Sequence, residues 1–172
     1  FKLFTTKPYD RVTFADLEQA TGLSRGAILY PIKTKENLFL NVVKKFIFEV
    51  NSISSMPKTP QSSLILTLTH FIESCQKEKK KMAASGIFNV NTAMMNITIS
   101  AFFALPKMRE YAFNWLSQEK VVWMNILEKA KELKEIRSDI NVELFASIFE
   151  NVFLGSYLSG IVYTDGYKIE QL

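Results

Sequence analysis

Cysteine occurs once, at Cys75, so the chain cannot form an internal disulfide, and a lone thiol fits a reducing compartment. Glycine and proline are sparse, six and five in 172 residues, which disfavours a turn-rich β-fold and favours long helices. Histidine also occurs once, at His70. One His and one Cys make no metal-ligand cluster, and the His70–Cys75 spacing matches no nucleophile–base arrangement. Neither a phosphate-binding loop nor paired carboxylates stand out, so neither enzyme chemistry nor a cofactor is expected. Asp139, Glu143 and Glu150 interrupt or flank the most apolar stretch, leaving no run of the roughly 18 residues that a bilayer span needs. No signal peptide opens the sequence. The expectation is a soluble, cytoplasmic protein with no membrane partner.

What is present is apolar material and unevenly placed charge. Hydrophobic residues make up 48% of the chain, ample for a packed core. Residues 1–50 hold eight basic side chains (Lys2, Lys7, Arg11, Arg25, Lys33, Lys35, Lys44, Lys45) and five acidic ones (Asp10, Asp16, Glu18, Glu36, Glu49), a balance of +3 out of +4 for the whole chain. A basic first part on a near-neutral body suggests a polyanionic partner for that part alone.

Helix punctuation in the first part is dense. Phe1 to Phe4 reads as the last turn of a helix whose beginning is missing, and Pro8 breaks it. Thr13 stands three residues before Asp16, a capping-box spacing that opens a helix over residues 14–21 burying Phe14, Leu17 and Ala20. Gly22 ends that helix in a left-handed turn. After Leu23 alone, Ser24 caps a short helix over 25–32, with Ile28 and Ile32 on one face and Leu29 close by. Thr34 caps a third helix from Lys35, with Leu38, Phe39, Val42, Val43, Phe46, Ile47 and Val50 at helical spacing. Two short helices joined by a tight glycine turn form the geometry that presents a helix to a major groove.

The run Thr21-Gly22-Leu23-Ser24-Arg25-Gly26-Ala27-Ile28-Leu29-Tyr30-Pro31-Ile32-Lys33-Thr34-Lys35-Glu36-Asn37-Leu38-Phe39 resembles the recognition segment of the tetracycline-repressor (TetR) family. The likeness covers about the first 45 residues, a quarter of the chain. It implies an all-α fold: a helix-turn-helix DNA-binding domain over 1–50, then a helical ligand-binding and dimerisation domain over 51–172. It also implies roles by position. Arg25, Gly26 and Ala27 would face base edges, and Arg25 could grip guanine with two hydrogen bonds. Thr13, Tyr30 and Lys35 would hold phosphates. Ser24, Leu29, Lys33 and Thr34 complete the expected DNA-facing set. Three positions depart from the family pattern. Glu18 stands where a small residue is usual beside the turn, and Leu29 and Pro31 replace a tyrosine and a polar residue.

Residues 51–61, with Pro57 and Pro60 among serines, mark a break between modules. Beyond it Leu64, Leu68, Phe71, Ile72 and Cys75 make one helical stripe, and the lysine-rich stretch 77–81 reads as a solvated helix end and loop. A helix or two occupies residues 89–105. Pro106 opens the longest segment, on which Met108, Ala112, Trp115, Glu119, Val122, Ile126 and Leu133 share a face. Asp139 or Asn141 caps a last long helix from 142 to about 163, and residues 165–172 could start another.

His70, Met94, Phe102, Phe103, Tyr111, Trp115 and Trp123 are the candidate lining of a pocket for an apolar or aromatic small molecule. The last helix is apolar on two faces, so something must cover the second. Phe149, Val152, Phe153, Gly155, Ser156, Ser159 and Gly160 are its candidate dimer interface, the last four small enough for close helix approach. The resemblance independently implies a homodimer, whose recognition helices would lie about 34–36 Å apart or a multiple of it. The function expected is a sequence-specific transcriptional regulator, a repressor released from its double-stranded DNA operator by a small ligand. The alternative is a dimeric helical protein-interaction module that does not bind DNA.

Overall fold

Side-chain caps set most of the helix starts. Thr13, Ser24, Thr34, Ser63, Asn89 and Asn141 each accept a hydrogen bond from a backbone N–H in the first turn that follows, satisfying a donor the helix itself leaves free. The structure is a computed structural model that describes residues 1–50, 52–56 and 63–168. Among these the fold is all-α, with eight α-helices. They are α1 (Lys2–Thr6), α2 (Phe14–Thr21), α3 (Arg25–Ile32), α4 (Lys35–Val43), α5 (Leu64–Ala84), α6 (Val90–Ala104), α7 (Met108–Glu132) and α8 (Val142–Ser159). Helix α4 continues without a break into a wider π turn, Lys44–Phe48. Of the expected break over 51–61, Asn51, Pro57 and Pro60 lie outside the described residues.

Two buried clusters hold the helices together. Phe4, Val12, Leu17, Ile28, Phe39, Val42 and Val43 from the first part pack with Ile97, Ala101, Leu105 and Met108. Phe71, Cys75, Met82, Val90, Ala93, Met94, Trp123, Leu127 and Ala146 form the second. Helix α6 therefore contributes its N-terminal half to one core and its C-terminal half to the other. Asn96 adds a polar tie, its Nδ2 donating to the carbonyl of Thr5 at 2.9 Å.

A buried carboxylate anchors the chain just after the π turn. Glu119, on α7 and 6% exposed, accepts from Ser52 Oγ at 2.6 Å, Ile53 N at 2.8 Å and Ser54 N at 3.3 Å. These bonds cap the short 3-10 turn Ile53–Ser55 and fix where the first part leaves for the second.

Several expectations are corrected. The stretch 77–81 is no loop tip, because α5 runs on to Ala84: lysine and glutamate are good helix formers, and Lys81 pairs with Glu78 at 3.4 Å. Ala20 is exposed rather than buried, and Leu133 is exposed beyond the end of α7. Asn141, not Asp139, caps α8. Residues 165–168 form no helix, because Gly166 takes φ +82° and Tyr167 turns back into the core, where its N–H donates to Asn91 Oδ1 at 3.0 Å; residues 169–172 lie outside the described set. Finally, Val142–Val162 is long and apolar enough to cross a membrane by length and composition, with mean hydropathy 1.3. Glu143 and Glu150 do not prevent this, because two acids among so many apolar residues leave the average high. The same stretch packs on α7 through Phe149, which stacks on Trp123, and on α5 through Phe153, which meets Phe71 edge-on, with 11% of its apolar span buried.

Replacing Glu119 with alanine strands three donors and is expected to cost about 3 kcal/mol, with Glu119→Gln costing less because one acceptor oxygen remains. Urea unfolding of the three proteins checks this; equal midpoints for wild type and Glu119→Ala would show that the clamp contributes nothing.

Candidate nucleic-acid interface

The α2–turn–α3 unit is built from local interactions. Thr13 and Asp16 close a complete capping box: Asp16 N donates to Thr13 Oγ1 at 3.1 Å while Thr13 N donates to Asp16 Oδ2 at 2.8 Å. Lys7 joins it, its Nζ 2.7 Å from Asp16 Oδ1. The Lys7 ammonium, then the Thr13 bonds, hold the Asp16 carboxyl down at about 2 from an ordinary 3.8. Gly22 ends α2 at φ +69°, a conformation that costs other residues a Cβ clash. Two residues later Ser24 caps α3, and Glu18 reaches across from α2 so that Arg25 N donates to its Oε1 at 2.6 Å.

This leaves one face of α3 open. Ser24, Arg25, Gly26, Ala27 and Tyr30 are exposed, Tyr30 at 89%. The Arg25 guanidinium lies over the Phe14 ring, 4.3 Å from its centre, which limits its rotamers without using its N–H donors. Lys35 lies over Tyr9 in the same way, at 4.4 Å. Thr13, Lys33 and Thr34 are exposed and Lys35 is half-buried. Lys33 takes φ +68° where α3 turns into α4. Leu29 is half-buried, so of the expected set it is the apolar member least available to a partner.

The candidate pocket residues fall in different places. Met94, Phe102 and Trp115 line one apolar cavity of about 360 Å³, joined by Phe46, Ile47 and Phe48 of the π turn, Met95 and Thr98 of α6, and Phe153, Leu154 and Tyr157 of α8. Phe48 packs on Trp115 with ring centres 5.6 Å apart. No charged side chain lines it. Trp123 is buried in the core beside Phe149, Tyr111 sits half-buried under Lys44, and Phe103 is 90% exposed on a separate groove. His70 is exposed on another face, among Glu49, Glu73 and Lys77. Burial pushes the Cys75 thiol up to about 12, so it stays protonated. Among the described residues no group of acids, His and Cys could hold a metal.

The candidate interface on α8 also divides. Val152, Gly155 and Ser159 are exposed together with Leu144 and Ile148, one turn apart along the helix, while Ser156 is half-buried. Phe149 and Phe153 face inward onto Trp123 and Phe71. Gly160 is buried for an internal reason: a Cβ there would stand 2.6 Å from both Asn91 Cγ and Tyr167 N.

Glu18, Phe14 and the π-turn phenylalanines were not among the candidate site residues. Glu18 had signalled itself only as a departure from pattern, and Phe14 and Phe46 as core positions. No sequence signal distinguishes a ring that fills a core from one that carries a cation or lines a cavity.

Because the Asp16 carboxyl titrates lower in the folded state than unfolded, its contribution is full above pH 3.8 and is lost as pH falls from there towards 2. Thermal unfolding between pH 5 and pH 2 is expected to show a steeper loss for wild type than for Asp16→Asn; parallel curves would contradict the capping-box account. No family model matches the chain, and comparison with curated proteins and with solved structures found no match.

Proposed function

We propose that the chain is a sequence-specific DNA-binding regulator of the TetR type, working as a two-fold homodimer and answering to a small, uncharged apolar ligand. The observation that carries this is the open face of α3, where Arg25 and Tyr30 stand exposed beside a glycine turn while Ile28 and Ile32 of the same helix pack inward. Arg25 forms no ion pair among the described residues, so its donors are available to base edges. Thr13, Thr34, Lys33 and Lys35 flank it and would hold the phosphates on either side.

The apolar cavity supports a ligand response. Its wall includes the π turn that ends α4, and α4 begins at the Lys33–Thr34 turn where α3 stops. A molecule entering the cavity would press on Phe46, Ile47 and Phe48 and so on the helix behind α3. Coupling of about 1–3 kcal/mol would change operator affinity by roughly 5- to 150-fold. The exposed row Leu144, Ile148, Val152, Gly155 and Ser159 supports the dimer, since a stripe of this kind needs cover. The protein-interaction alternative would use the same row, so the dimer does not choose between the two readings. DNA does.

Fluorescence anisotropy with duplexes from the protein's own promoter region, titrated at several salt concentrations, is the test. Saturable binding tighter than to random duplex, weakened by Arg25→Ala by about 1–3 kcal/mol, is expected. Equal and negligible binding to both duplexes at low salt would reject it. Ile148→Asp and Val152→Asp are expected to shift the sedimenting species from dimer to monomer with helicity unchanged; a wild-type monomer at micromolar concentration would reject the dimer.

A further inference from the structure

Glu18 places a full negative charge where a DNA-facing helix begins. A helix start ordinarily carries about half a positive charge and free N–H groups, which attract phosphate without regard to sequence. Here Glu18 Oε1 takes the Arg25 N–H at 2.6 Å and Ser24 Oγ takes that of Ala27 at 3.3 Å. Two of the donors that would greet a phosphate are therefore occupied, and a carboxylate stands beside them. Glu18 Oε2 accepts no hydrogen bond among the described residues. The carboxylate bonds the Arg25 main chain and forms no ion pair with its guanidinium, which instead lies over Phe14 at 4.3 Å.

We infer that Glu18 is a specificity-determining residue of this surface: it fixes the start of α3 against α2 and repels backbone phosphate there, leaving the ring-held Arg25 guanidinium to read bases. The inference rests on the DNA-binding reading above. Phosphate contacts add affinity for any sequence, and base contacts add it for one. A carboxylate at the helix start lowers the first without touching the second, so it widens the gap between specific and random DNA at some expense of total affinity.

The experiment compares wild type, Glu18→Gln and Glu18→Ala, each as the full chain. The probes are a random duplex and a duplex enriched by the wild-type protein from a random pool, both followed by anisotropy across a salt series. Glutamine keeps an acceptor oxygen and loses the charge. It is expected to tighten binding to random duplex by about two- to fivefold, as suits one partly screened charge. The salt slope on random duplex should steepen by about one. The enriched duplex should gain less, so discrimination falls. Amide exchange on the free proteins reads the positioning role separately: Arg25 N–H stays protected in Glu18→Gln and loses protection in Glu18→Ala. Unchanged or weaker binding of Glu18→Gln to random duplex, with wild type binding normally, overturns this inference alone. Failure of wild type to bind any duplex overturns the DNA-binding reading and this inference with it.

Discussion

Helix α6 is held at both ends by different cores, and the rest of the molecule is arranged around that fact. Val90, Ala93 and Met94 sit among the long helices, while Ile97 and Ala101 sit among α1, α2 and α4. Protein interiors are packed as closely as organic crystals, so a helix shared in this way cannot shift at one end without disturbing the other. Asn96 and Glu119 add directional ties from each side of the same junction. The cavity lies against this shared helix, with Met94, Met95, Thr98 and Phe102 along its wall. A ligand there would meet the structural element that already joins the two parts.

The exposed face of α3 follows from economy in the small N-terminal cluster. Its few apolar side chains, Phe4, Val12, Leu17, Ile28 and Phe39, point to one centre, so the opposite side of α3 has nothing to cover it. Rings at the rim do a second task. Phe14 carries Arg25 and Tyr9 carries Lys35, and each limits the motion of a cation without neutralising it. A cation restrained before binding loses less freedom on meeting a phosphate or a base.

What could be read from the sequence was what short-range chemistry decides. Thr13, Ser24 and Thr34 announce helix starts because the cap and its N–H lie within three residues, and the bounds of α2 and α3 are those expected from the caps and from Gly22. The candidate DNA-facing residues rest on the family resemblance; of them Ser24 to Ala27, Leu29 and Tyr30 lie on α3 and its cap, while Thr13 caps α2. Contacts between distant segments could not be anticipated. Gly160 looked like a contact point for another helix, yet its smallness serves Asn91 and Tyr167 of the same chain. Trp123 and Phe103 looked alike as pocket candidates, and one is core while the other is open to solvent. Periodicity gives the face of a helix, but which neighbour lies on that face depends on packing that no local pattern encodes. The clamp of Glu119 on residues 52–54 is of the same kind, joining positions more than sixty apart.

The central claim is that α3 and the turns beside it are the surface that meets DNA. Hydrogen–deuterium exchange of the full chain, with and without an excess of duplex at low salt, tests it most directly. The account predicts new protection over residues 24–30 and 33–37, with α5 and the exposed row of α8 unaffected. Protection centred on α8 or on the lysines of α5, with residues 24–30 unchanged, would contradict it.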